Sequence, residues 1–141
     1  MRQLLVGGGV AVINIAIHAL IMSVVIAVAQ AAASKTFSHR SLFLTAVMIP
    51  TVSVLMATHA LEVAVWALAY SMVEAAPAGT DWMYFAFVNY ATLGYGDIVP
   101  VPRWQLLGPI ASMNGALMFG WSTAVIFEVM RKAKERGELP R

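Results

Sequence analysis

The segment Thr92-Leu-Gly-Tyr-Gly-Asp97 combines residue types that allow the protein backbone to bind a bare cation. Gly94 and Gly96 permit positive φ angles, which turn successive peptide carbonyls toward the same side. Asp97 adds a carboxylate at the end of this row of carbonyl oxygens. Oxygen atoms arranged in this way can replace the water around a cation, so the chemistry that the segment favours is coordination.

A second set of residues, here called the polar cluster, consists of Asn14, His18, His59 and Glu62 within long apolar runs. Asn14 and His18 are four residues apart and His59 and Glu62 are three apart, so each pair shares one face of a helix. His18 lies 16 residues before the segment 34–41, and His59 lies 18 after it. In an antiparallel hairpin these depths match at ~1.5 Å per residue, so we expect the four side chains to meet.

Three interpretations of the polar cluster stay open at this point. It is a buried hydrogen-bond network that fastens the N-terminal helix, a proton-sensitive switch built on a His–Glu pair, or a metal site formed by His18, His59 and Glu62. Ionisable residues inside a membrane are costly and usually pair with one another. Each interpretation therefore gives Glu62 a histidine partner.

The composition indicates which solvent surrounds the protein. The chain has 141 residues, of which 60% are hydrophobic and 11% are charged, against roughly a quarter charged in a soluble domain. Lipid must therefore cover much of the surface. Cysteine is absent, which excludes disulfides and cysteine-ligated zinc. No catalytic constellation is visible, so we expect no enzyme activity, and we expect no nucleic-acid partner.

Three apolar segments, 4–33, 42–73 and 104–130, exceed the ~20 residues that a membrane helix needs. A fourth, 82–91, is too short to cross and is predicted to be re-entrant. The first segment is about twice as long as the apolar part of a secretory signal, so we interpret it as a membrane helix rather than a cleaved leader.

The basic residues predict the orientation in the membrane. Seven of the nine lysines and arginines fall in the segments 34–41 and 131–141. Basic loops face the cytoplasm, so we expect a multi-pass protein of the plasma membrane with the N-terminus outside and the C-terminus inside.

The chain between the second and third long segments must enter the membrane and return. Pro77 and Gly79 interrupt the helix, and Thr80 or Asp81 can cap a new one. This short helix points its C-terminus, the negative end of its dipole, toward mid-depth. The non-helical backbone after Ala91 is tolerated there only if it lines a water-filled path or finds other partners for its carbonyls. A dehydrated cation would be such a partner.

The Thr92–Asp97 hexapeptide resembles the selectivity-filter signature of potassium channels, usually Thr-Val-Gly-Tyr-Gly-Asp. The resemblance covers roughly residues 42–130 and implies an all-α membrane protein with three transmembrane helices and a re-entrant pore helix, assembled as a homotetramer around a central pore. It implies potassium sites at the carbonyls of Thr92, Leu93, Gly94 and Tyr95 and the Thr92 hydroxyl. Potassium is then the permeant ion, and no other cofactor is expected.

Hydropathy, the basic residues and the resemblance together divide the chain. They predict a peripheral transmembrane helix at 1–33, a cytoplasmic loop at 34–41, a pore domain at 42–130 and a basic cytoplasmic tail at 131–141. Within the pore domain they predict an outer helix at 42–73, a pore helix at 81–91, the filter at 92–97 and an inner helix at 104–130.

Two departures from the family pattern bear on how the filter is held. Leu93 replaces the usual valine, which leaves its carbonyl available to the ion. Val88 stands where some bacterial members carry a glutamate that interacts with the filter aspartate. The residues predicted to support the filter, besides Val88 itself, are Tyr84, Phe85 and Asn89.

Small residues interrupt the predicted inner helix. Gly115 and Gly120 are candidates for a gating hinge, with close helix packing as the alternative. The polar side chains predicted to face cavity water are Ser112, Asn114 and Thr123. The aromatic residues predicted to anchor the outer membrane interface are Trp66, Tyr70, Trp82, Tyr84 and Trp104.

The predicted function is passive, selective conduction of potassium through a tetramer in lipid. Two alternatives remain: a channel that conducts sodium and potassium alike, and a membrane sensor or scaffold that does not conduct.

Overall fold

The computed structural model describes the backbone of residues 1–33 and 40–138, and side chains within 1–31 and 42–132. The chain forms α1 (Arg2–Ala33), α2 (Arg40–Val73), α3 (Trp82–Tyr90), a 3-10 turn (Pro102–Trp104) and α4 (Leu107–Glu138). The described residues contain no β-strand. Three of the helices are long and apolar enough to cross a membrane, which confirms the predicted all-α architecture. Lys35 and most of the predicted loop 34–41 lie outside the described residues.

The short helix α3 begins directly after Asp81, whose side chain caps its first turn. Asp81 accepts hydrogen bonds from the backbone N–H groups of Met83 at 2.9 Å and Tyr84 at 3.1 Å. A helix start leaves such N–H groups without partners, and aspartate satisfies them well. Of the two predicted caps, Asp81 rather than Thr80 holds the position, and the helix runs one residue shorter at each end than predicted.

The inner helix differs from its predicted bounds of 104–130. A 3-10 turn occupies Pro102–Trp104, and α4 then continues past the apolar region to Glu138. Residues 131–138 were predicted to belong to a tail. They are mostly good helix formers, and Glu128 pairs with Arg131 at 2.8 Å and with Lys132 at 3.2 Å along the helix surface. Hydropathy marks the end of the apolar segment, whereas propensity and charge pairs set the end of the helix.

The extra helix α1 packs against both α2 and α4. Near its start, Gln3 accepts a hydrogen bond from the backbone N–H of Leu106 at 2.7 Å. A Cβ at Gly7 would lie 2.7 Å from the Ile110 side chain, so a small residue permits this approach. Toward the other end, Ala29, Val47 and Val129 form a buried contact among the three helices. The helix α1 therefore belongs to the bundle along its length.

The main core lies where α3 is held between α2 and α4. Trp66 and Tyr70, predicted to anchor a membrane interface, are fully buried in it, so that prediction is wrong. The indole N–H of Trp66 donates to Asn114 at 3.0 Å, and the Tyr70 hydroxyl donates to the Leu107 carbonyl at 3.2 Å. Their polar atoms find partners inside the bundle, which removes the reason for them to reach the lipid–water boundary.

Candidate functional site

The segment 92–97, called the filter segment after its predicted role, alternates in the sign of its φ angles from Thr92 to Gly96. Thr92, Gly94 and Gly96 have φ angles of 60°, 60° and 78°, and the residues between them do not have positive φ. Alternation of left- and right-handed residues orients successive peptide groups toward one side. The two glycines adopt the conformation for which glycine is suited. The positive φ of Thr92, which a branched side chain disfavours, extends the alternation by one residue beyond the sequence-based expectation.

The last turn of α3 holds the start of the filter segment through backbone N–H groups. Thr92 donates to the Asn89 carbonyl at 3.1 Å, and Leu93 donates to the Val88 carbonyl at 2.9 Å. Among the described residues, no hydrogen bond ends on the carbonyl oxygens of residues 92–96. The N–H groups at the start of the segment are thus used for anchoring, while this run of carbonyl oxygens stays available to another ligand.

The other end of the filter segment is tied to the beginning of α3. The hydroxyl of Tyr84 donates to the Asp97 carboxylate at 2.6 Å. This hydrogen bond holds the pKa of Asp97 below its ordinary value and raises the pKa of Tyr84. Val88 is buried and apolar, so the contact to Asp97 comes from Tyr84 and not from residue 88.

The remaining predicted supports act less directly. Phe85 is fully buried and packs against Tyr70 with ring centroids 4.9 Å apart. The side chain of Asn89 donates back to the Phe85 carbonyl at 2.8 Å. The backbone carbonyl of Asn89 accepts a hydrogen bond from the Ser112 hydroxyl at 2.7 Å. The Ser112 hydroxyl therefore binds the end of α3 within the chain, and its exposure to cavity water stays a prediction.

The two candidate hinge glycines lie in different surroundings on α4, which is helical through both. A Cβ at Gly115 would fall 2.0 Å from the Tyr90 carbonyl oxygen, whereas a Cβ at Gly120 would meet nothing within 4 Å. Gly115 is therefore required for the close approach of α4 to the end of α3. Packing within the chain does not require a glycine at position 120. Its role as a hinge stays a prediction.

The structure brings the four residues of the polar cluster together at Glu62, with the histidines at its carboxylate and Asn14 at its backbone carbonyl. The Nδ1 atom of His18 lies 2.8 Å from Oε1 of Glu62, and the Nδ1 atom of His59 lies 3.1 Å from Oε2. The amide of Asn14 donates to the Glu62 carbonyl at 3.3 Å. Asn14, His18 and Glu62 are completely buried, and the His59 side chain is 13% exposed.

Sequence reasoning missed three partners of the polar cluster. Tyr90, the last residue of α3, donates its hydroxyl to Oε2 of Glu62. The hydroxyl of Ser122 lies 2.9 Å from Nε2 of His59. Asn114 accepts hydrogen bonds from Asn14 at 3.1 Å and from Trp66, so it faces the polar cluster and not cavity water. A tyrosine hydroxyl in an apolar run needs a hydrogen-bond partner, and this rule could have identified Tyr90 from the sequence.

The polar cluster also has the composition of a metal site. Ligand atoms of His18, His59 and Glu62 lie within 4.8 Å of one another, and two histidines with a carboxylate are a known zinc ligand set. In the present arrangement both oxygens of Glu62 are already engaged by histidine nitrogens and the Tyr90 hydroxyl. The geometry is therefore that of a hydrogen-bonded carboxylate, whose donors would have to be displaced by a metal ion.

Comparison with known proteins adds one match. One protein family, described as "Ion channel", matches residues 58–132, slightly more than half of the chain. The matched range contains His59, Glu62, α3, the filter segment and the hinge candidates, and it leaves out α1. No curated protein and no solved structure matches the chain.

Proposed function

We propose that this chain, which belongs to the ion-channel family, is a subunit of a potassium-selective channel. Potassium would pass down its gradient, without any chemical reaction, through a pore formed by several copies of the filter segment. The observation that carries this proposal is the alternating backbone of Thr92, Gly94 and Gly96. Its carbonyl oxygens have no internal partner among the described residues.

In this proposal, potassium selectivity depends on how the carbonyl oxygens coordinate the ion. Carbonyl dipoles can replace the hydration shell of a dehydrated cation. In this proposal the potassium sites are stacked at the carbonyls of Thr92, Leu93, Gly94 and Tyr95 and at the Thr92 hydroxyl, with Asp97 at the outer mouth. The anchors at Leu93 and Asp97 support it, because they hold the two ends of the segment to one helix.

The same chemistry requires several copies of the chain, and the resemblance to potassium channels implies four. One chain supplies one column of carbonyls, and a ring that surrounds an ion needs several columns related by a closed symmetry axis. Several large apolar side chains are exposed on the filter segment and α4 of the single chain, which supports burial against neighbouring subunits and lipid: Leu93, Tyr95, Met113, Leu117 and Phe119. We propose four subunits, with the C-terminus in the cytoplasm and the N-terminus outside.

Ion flux into liposomes tests the proposal. The purified protein is reconstituted, and uptake of potassium and of sodium is measured separately under matched gradients. Uptake of potassium alone is the expected result. Equal uptake of both ions would indicate a non-selective cation channel, and uptake of neither would indicate a sensor or scaffold. Either outcome would refute potassium selectivity.

The assembly is tested independently of conduction. Native mass spectrometry of the protein in a mild detergent should give a mass of four chains. The detergent chosen is one from which the protein can be reconstituted with potassium flux intact. A stable monomer or dimer in that detergent would refute the tetramer.

A further inference from the structure

The Glu62 carboxylate joins three helices at one buried point. His18 comes from α1, His59 from α2 and Tyr90 from α3, and each places a nitrogen or hydroxyl against a carboxylate oxygen. Glu62 is completely buried. Removal of a single donor from a buried carboxylate leaves a costly uncompensated group, so the positions of the three helices around Glu62 depend on one another.

Tyr90 connects this point to the filter segment. It is the last residue of α3, and Thr92 follows two residues later at the first positive φ of the segment. Its side chain is held by Glu62, while its backbone carbonyl lies where Gly115 of α4 permits close contact. Tyr90 is therefore fixed on both sides, and a shift of its ring would be passed to the backbone from which the filter segment starts.

The two histidines differ in how many helices they contact. Both ring nitrogens of His59 have polar partners, because Nδ1 lies 3.1 Å from the Glu62 carboxylate and Nε2 lies 2.9 Å from the Ser122 hydroxyl of α4. Nε2 of His18 is buried and has no hydrogen-bond partner among the described residues. The polar contact of His18 with this point is therefore the one between Nδ1 and Glu62.

We propose that Glu62 and Tyr90 are positioning residues for the filter segment, and that His18 makes the extra helix α1 part of the same support. The proposal rests on the proposed channel function and adds a determinant of its selectivity behind the pore. The buried hydrogen bonds of Glu62 set the place of Tyr90, and Tyr90 sets the start of the carbonyl row. The helix α1 is then coupled to ion selection, although it lies outside the residues that match the channel family.

A double-mutant cycle tests the pairing. Tyr90→Phe, Glu62→Gln and the double variant are reconstituted, and the ratio of potassium to sodium permeability is measured for each. We expect each single variant to lower the ratio by about threefold to tenfold, and the double variant to be no worse than the stronger single one, because residues in one network do not act additively. A ratio is the useful readout, since partial misfolding lowers total flux without changing the selectivity of the channels that remain.

Matched controls separate positioning from general stability. Tyr70→Phe removes another buried tyrosine hydroxyl, the one that donates to Leu107, and should leave the permeability ratio unchanged. On α1, His18→Gln should lower the ratio, whereas Ser23→Ala, which removes an exposed hydroxyl that bonds only within α1, should not. Size-exclusion profiles identify variants that fail to assemble.

The outcomes distinguish this inference from the proposed function. Wild-type protein without potassium selectivity would refute the proposed function itself. A selective wild type whose ratio is unchanged in Tyr90→Phe and Glu62→Gln, or changed additively in the double variant, would overturn the positioning role alone. A change in wild-type selectivity when a metal chelator is added would also overturn it, in favour of a bound metal at His18, His59 and Glu62.

Discussion

Tyr84 and Asp97 join the first turn of α3 to the last residue of the filter segment through a hydrogen bond of 2.6 Å. The bond spans 13 residues of chain and closes a loop of which the filter segment is one side. Because Leu93 is anchored to Val88 at the other end, one short helix fixes both ends of the proposed ion-binding backbone. The Tyr84–Asp97 hydrogen bond is here called the outer tie. Both of its members are exposed, so water competes with it.

The first prediction removes the outer tie. Tyr84→Phe keeps the ring and deletes the hydroxyl, so Asp97 loses its donor. We expect potassium flux to fall by a factor of about two to five, the range for an exposed polar pair, because the outer end of the filter segment becomes less ordered. Liposome flux measures this effect. Tyr84→Phe with wild-type flux and selectivity would show that the tie is dispensable.

The second prediction concerns the pH range of the same tie. The pKa of Asp97 is lowered from 3.8, so its contribution to stability is present above that value and is lost only as the pH falls through the lower value in the folded protein. The pKa of Tyr84 is raised from 10.0, so the hydroxyl stays a donor below that value and is lost as the pH rises through the higher one. The tie should therefore be constant between about pH 5 and pH 9.

The measurement compares potassium flux of wild type and Tyr84→Phe across this pH range. Their ratio should not change with pH, whatever other groups of the protein titrate. A ratio that varies between pH 5 and pH 9 would contradict the assignment of these two groups.

The third prediction concerns the glycines of the filter segment. A Cβ at Gly94 or Gly96 would meet nothing within 4 Å in the same chain, so the cost of alanine there comes from the positive φ, at about 1–2 kcal/mol. We expect Gly94→Ala and Gly96→Ala to lose selective potassium flux, because the carbonyl row can no longer keep its alternation.

Gly79→Ala is the matched control for these substitutions. Gly79 also has a positive φ, 83°, and open space around it, but it lies in the turn between α2 and α3. It should lose a similar amount of stability and retain potassium selectivity, as judged by thermal unfolding and liposome flux. Retained selectivity in both filter variants would refute the filter assignment.

The fourth prediction separates the two inner-helix glycines. Gly115→Ala places a methyl group 2.0 Å from the backbone oxygen of Tyr90, and such overpacking typically costs about 1–3 kcal/mol. We expect a lower unfolding temperature and loss of selective flux. Gly120→Ala has space within the chain and should favour the helix by about 1 kcal/mol. If Gly120 is the hinge, Gly120→Ala should also lower the open probability in single-channel recordings.

Equal losses of stability in the two variants would contradict this account of Gly115. An open probability unchanged in Gly120→Ala would remove Gly120 as a hinge.

Much of the architecture follows from local properties of the chain. Long apolar runs determine three helices, the carboxylate of Asp81 determines where α3 begins, and the glycines at 94 and 96 determine where the backbone takes positive φ. The meeting of the four residues of the polar cluster was also predictable, because residue counts along an antiparallel hairpin set the depth of each side chain.

Rotation of the helices about their axes was decided by the tertiary structure alone. Asn114 faces Asn14 and Trp66 instead of cavity water, Trp66 and Tyr70 face the core, and Tyr90 turns toward Glu62. A soluble helix reveals its buried face by an apolar stripe, but a helix that is apolar all round carries no such signal. The side that turns inward is then selected by which buried polar atoms can reach partners on neighbouring helices, and those partners are up to 100 residues away in the chain.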